Sequence, residues 1–100
     1  MRIGRPIQFT REAILTAALH LARAEGYNRV SRAAIAEAVG CSPANIALVL
    51  GTMSKVRRAI MSAAIAERDL TVLAQGLVAK EAKALVAPLE LRQKAIASLL

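Results

Sequence analysis

The sequence predicts a small all-α protein, and three observations carry that prediction. Of the 100 residues, 56% are hydrophobic yet only 2% are aromatic, and alanine swells the apolar total. Alanine has the highest helix propensity and lets helix backbones approach closely. Apolar residues recur at spacings of three and four along most of the chain, and no stretch alternates as a half-buried strand would. The length suits one domain around one core.

The elements follow in order. Residues 1–8 set Gly4 and Pro6 among Arg2 and Arg5 with little to bury, and read as a flexible basic arm. Thr10 supplies an N-cap for a first helix, whose stripe of Ile14, Ala17, Ala18, Leu21 and Ala22 is widened by Leu15 and Leu19 before Gly26 ends it. Tyr27, in the connector that follows, is placed to plug the core. Ser31 caps a short second helix with Ile35, Ala36 and Val39 facing inward, and Gly40 stops it. After Cys41, Ser42 and Pro43 open a third helix as N-cap and first helical residue, where the missing N–H of proline removes nothing. Gly51 closes that helix, and Thr52 or Ser54 can cap a fourth. The fourth reads as long, because Val56, Ile60, Ala63, Ala64, Leu70 and Leu73 continue one stripe to about Gln75, before Gly76. Residues 77–87 and 89–100 read as two further helical pieces parted by Pro88. The chain thus divides into an arm at 1–8, a head at 9–58, and a helical scaffold and tail at 59–100.

Charge narrows the function. The chain carries +7 at neutral pH with a sequence pI near 10.8. Up to Arg58 there are nine basic residues against three acids, and beyond it five against four. A basic first half calls for a polyanionic partner. No apolar run reaches the roughly 18 to 20 residues that cross a bilayer, so no membrane partner is expected. Arg2, Arg5 and Arg11 have no apolar secretory segment between them, which implies a cytoplasmic protein. Catalysis is not expected: His20 has no second histidine or acid at metal-ligand spacing, the lone Cys41 can build neither an intrachain disulfide nor a cysteine-based zinc site, and no glycine-rich phosphate loop is present. No cofactor is expected either.

A helix-turn-helix needs a small residue where its helices cross, a turn residue that tolerates positive φ, and apolar residues between the helices. The run from Ile35 to Ile46 offers these in order, with Ala36 at the crossing, Gly40 at the turn, and Ile35, Val39, Ile46 and Val49 as the wedge. The start of the third helix presents free N–H groups and the positive end of its dipole, with Ser42, Pro43, Ala44 and Asn45 at that end. Asn45 is the candidate for a base contact, since a carboxamide can bond N6 and N7 of adenine together. Ala44, Ala47 and Leu48 are candidates for thymine methyl groups, Ser31 and Arg32 for passing backbone phosphates, and Arg2 and Arg5 for an adjacent minor groove.

The positions Arg11, Ile14-Leu15, Ala17-Ala18, Glu25-Gly26-Tyr27, Ser31, Ile35-Ala36, Val39-Gly40 and Ser42 also resemble the N-terminal DNA-binding domain of the TetR-like repressors, over about half of the chain. That resemblance implies a three-helix head that sets its third helix in the major groove of double-stranded DNA, followed by a helix joining head to body. It implies a homodimeric repressor, here of the compact size that phages, plasmids and prophages encode. The chain departs from the family where a tyrosine, a phenylalanine and a lysine usually make phosphate contacts: Ala47, Leu50 and Met53 stand there. Lys55 or Arg57 can substitute, with Thr52 as a hydroxyl donor at the same edge. The family's large inducer-binding body has no counterpart in the residues after Gly76, so a small-molecule inducer is not expected. Apolar side chains from Leu70 to Leu100 outnumber what one small head buries, which points to a homodimer interface. The alternative reading is a protein-interaction module on a helix-turn-helix scaffold that no longer binds DNA.

Overall fold

A computed structural model describes residues 10–100, so the arm with Arg2 and Arg5 lies outside the described residues. Those residues form an all-helical bundle without strands: α1 (Arg11–Glu25), a 3₁₀ turn (Tyr27–Arg29), α2 (Arg32–Val39), α3 (Pro43–Leu50), α4 (Met53–Ala66), α5 (Leu70–Val78), α6 (Ala82–Leu85) and α7 (Leu89–Ala97). No single helix among them is long and apolar enough to cross a membrane.

Side-chain caps set most of the starts. Thr10, Ser31, Ser42 and Thr52 each accept the backbone N–H three residues on, at 3.1, 3.0, 3.3 and 3.3 Å. Each such cap stabilises its helix by about 1 kcal/mol. Between α2 and α3, Gly40 takes a left-handed conformation with φ +91°, which a residue with a Cβ would adopt only under strain. The N–H groups of Gly40 and Cys41 both return to the Ala36 carbonyl, closing the turn in two residues. Gly51, at φ +87°, makes the equally abrupt passage from α3 to α4.

One core runs through the molecule. Ile14 and Ala18 of α1, Ile35 of α2, Ile46 of α3, Val56, Ile60 and Met61 of α4, and Val72 and Leu73 of α5 are all buried in it. Tyr27 plugs it, as its place in the connector predicts. The boundary drawn at residue 58 falls inside α4, and the same core continues across it.

Two expectations are corrected. The fourth helix does not run to Gln75: it ends at Ala66, and Gly76 lies buried in the middle of α5. Arg68 adopts a left-handed φ of +57°, its N–H returns to the Ile65 carbonyl at 3.1 Å, and the Asp69 N–H returns to that of Ala64 at 2.8 Å. This pair of bonds is a Schellman motif, which reverses the chain and ends the helix. Asp69 then caps α5 through Oδ1, accepting from the Val72 N–H at 3.1 Å, while Oδ2 takes both Nε and Nη2 of Arg23 at 2.8 and 2.6 Å. Gly76 serves packing instead of termination, since a Cβ there would meet Met61 Sδ at 2.9 Å and Ala84 Cβ at 3.0 Å. A second Schellman motif at Lys80, φ +58°, ends α5 at Val78, so residues 77–87 are not one helical piece but the last two residues of α5 and the single turn of α6. Pro88 parts α6 from α7 as expected.

The second correction concerns the wedge between α2 and α3. Val49 is 37% exposed, and Leu50 is buried in its stead. Ile46 faces the core, and the residue one turn on in register with it is Leu50, four positions away, while Val49 falls on the flank.

Candidate nucleic-acid interface

The helices α2 and α3 meet at 108°, within the range of about 90 to 120° found in helix-turn-helix motifs. Ile35, Ala36, Ile46 and Leu50 are buried between them and the rest of the head, so α3 is held rigidly by its inner face. Its outer face is free: Pro43, Ala44 and Asn45 are exposed, and Leu48 is 83% exposed. Ala47 lies half-buried on the flank. The Asn45 carboxamide makes no hydrogen bond among the described residues, so both its donor and its acceptor stay available. Ser42 and Ser31 accept cap bonds through Oγ yet are exposed, which leaves each hydroxyl proton to donate outward.

The sequence-predicted cations separate. Lys55 is exposed in the first turn of α4, with its stem over Gly51, where a Cβ would stand 2.9 Å from Lys55 Cδ. Thr52, the cap of that helix, is exposed beside it. Arg57 is half-buried on another side of α4, close enough to Tyr27 to act on its phenol. Lys55 is therefore the cation brought to the α3–α4 edge. Arg32 is half-buried, and its guanidinium donates to the Gly51 carbonyl at 3.4 Å, tying the start of α2 to the end of α3.

Two cations outside the predicted set gather with Lys55. Arg58 stands three residues on along the same face of α4, and Arg11 begins the neighbouring α1. The i,i+3 spacing of Lys55 and Arg58 was the signal in the sequence. Arg11, 44 positions before Lys55, carried none.

Behind this surface, Tyr27 locks the 3₁₀ turn to the rest of the bundle. Its N–H donates to Gln75 Oε1 at 2.6 Å, and its single hydroxyl proton is donated to Glu81 Oε2 at 3.1 Å, with the Arg57 carbonyl as the more distant acceptor at 3.4 Å. Burial pushes its phenol well above the ordinary tyrosine range; the Glu81 carboxylate adds to the rise and Arg57 opposes it. His20 is exposed, Cys41 is half-buried in the turn, and the described residues hold no group of three or more side chains suited to a metal ion. No family model, curated protein or solved structure matches the chain.

Proposed function

We propose that the chain is a sequence-specific double-stranded DNA-binding regulator, a repressor resembling the TetR-like proteins, that acts in the cytoplasm as a homodimer. The observation that carries this reading is α3 itself, set at 108° to α2 by a buried inner face while its outer residues are exposed and unengaged. A helix so presented fits a major groove about 12 Å wide. Asn45 reads a base, Ala44 and Leu48 contact thymine methyl groups, and Ser31, Ser42, Thr52 and Lys55 meet the backbone. With few polar readers on the helix, part of the specificity comes from DNA shape.

The second reading, a protein-docking module, has its own support: the outer face of α3 carries Leu48 and the partly exposed Val49, and no cation. Electrophoretic mobility shift on DNA flanking the protein's own gene, at two salt concentrations and with excess competitor DNA, separates the two. A competitor-resistant, salt-sensitive shift is the expected result, because neutralising phosphates releases counterions. No shift, or one that any competitor abolishes, would favour the docking module.

A further inference from the structure

Between α1, α4 and α6 runs a cleft of about 500 Å³. Arg11, Lys55, Arg58 and Lys83 line it, together with the Ser62 hydroxyl. No carboxylate lines it, and none of the four cations takes part in an ion pair among the described residues. Four like charges around one cavity repel one another, and a multiply charged anion among them removes that repulsion while accepting charge-assisted hydrogen bonds. One wall is apolar, formed by Leu15, Ala59 and Ala63. The volume lies within the roughly 300 to 1,000 Å³ of small-molecule sites.

We propose that this cleft binds a small organic phosphate, with its phosphoryl group among the cations and Ser62 and a compact hydrocarbon or aromatic body against Leu15, Ala59 and Ala63. A phosphate dianion suits the site better than a carboxylate, because its three terminal oxygens can engage several cations together and the two arginines offer forked donors. The site also has a regulatory consequence, which rests on the DNA-binding reading above. Lys55 belongs both to the cleft and to the DNA-facing edge, so ligand and DNA draw on one cation and each weakens the binding of the other. The expectation that no inducer binds concerned a separate body after Gly76; this cleft is instead lined from both sides of residue 58, by α1, the end of α3, α4 and α6.

Isothermal titration of the full chain with phenyl phosphate, and separately with inorganic phosphate, tests the cleft in near-physiological salt. Phenyl phosphate is expected to bind once per chain and more tightly than inorganic phosphate. Arg58→Gln and Lys83→Gln should each weaken it about tenfold, the weight of one charge-assisted hydrogen bond. Equal affinity for the two anions, or affinity indifferent to both substitutions, overturns the proposal. Fluorescence anisotropy with operator DNA tests the coupling: phenyl phosphate should weaken DNA binding by the wild type at about a tenth of the concentration that Lys83→Gln requires, the ligand-free DNA affinity of that variant being unchanged. DNA binding without phenyl phosphate binding removes the cleft and leaves the regulator standing. Phenyl phosphate binding without any DNA binding removes the regulator and leaves the cleft.

Discussion

Asn45 and Lys55 stand at opposite ends of the proposed reading surface and should fail differently when replaced. Asn45 lies in the first turn of α3 with an unengaged carboxamide, so Asn45→Ala should weaken specific binding by roughly 1 to 3 kcal/mol and relax discrimination at one base position. Lys55 offers only a point charge beside Gly51, so Lys55→Ala should weaken binding to all sequences alike and flatten the salt dependence. Affinities measured on an operator and on scrambled DNA across a salt series distinguish these outcomes, and no change from either substitution would show the surface to be elsewhere. Tyr27 allows a test within the fold. It is the only tyrosine, so tyrosinate absorbance reports this one side chain. An unfolded tyrosine ionises near pH 10, and burial holds the folded phenol above that value. Its contribution to stability is therefore complete below about pH 10 and is lost as pH rises toward the folded value, because the unfolded state sheds the proton first. In an alkaline titration, tyrosinate absorbance and loss of helical circular dichroism should appear together, and Tyr27→Phe should move unfolding to higher pH. Tyrosinate appearing near pH 10 with the helices intact would mean that the phenol is not sealed in the core.

Helix ends were legible in the sequence where one residue sets them and hidden where the surrounding fold does. Ser31, Gly40, Ser42 and Pro43 act on backbone groups within a few residues, and the α2–α3 turn follows from them alone. The breaks after α4 and α5 carry no glycine: Arg68 and Lys80 occupy the left-handed positions instead, and the apolar stripe resumes soon after each. Beyond its local bonds, the first break is braced by the bond from Arg23 to Asp69, 46 residues apart, which no local pattern reveals. The same distance effect sets Arg32 against the Gly51 carbonyl and Arg57 beside Tyr27, neighbours that charge along the chain does not reveal. A left-handed residue with a side chain carries strain of about 1 to 2 kcal/mol, whereas glycine adopts that geometry freely but adds entropy to the unfolded chain. Lys80 is exposed and makes no side-chain bond among the described residues, so Lys80→Gly should stabilise the protein by about 0.5 to 1 kcal/mol in urea unfolding. A loss of stability would show that the strain relieved at residue 80 is smaller than the entropy glycine adds to the unfolded chain.

Under the proposed DNA-binding function, each copy offers one reading helix, α3, of eight residues and about 12 Å, which spans only a few base pairs. Specific operators therefore need two heads, about one helical turn of DNA or a multiple of it apart. Of the tail residues counted toward a dimer interface, Leu73 and Leu91 are spent on the protein's own core and Leu70 and Leu77 are half-buried against it. Leu85, Val86, Leu89, Ile96, Leu99 and Leu100 remain exposed at 46% or more. Leu89 and Ile96, seven residues apart, share one face of α7, while Leu91 and Ala95 turn to the core. This face is the place where a second copy can bury apolar area without disturbing either fold. Sedimentation equilibrium should find a dimer in the wild type. Leu89→Glu combined with Ile96→Glu should give a monomer of unchanged helical content, since both side chains already face solvent. The same pair should weaken operator binding steeply while leaving non-specific affinity per head nearly as before, because the second half-site is then no longer held in register. A wild type that sediments as a monomer at concentrations where it shifts its operator would place the two heads on DNA independently, and the exposed face of α7 would then have no part in recognition.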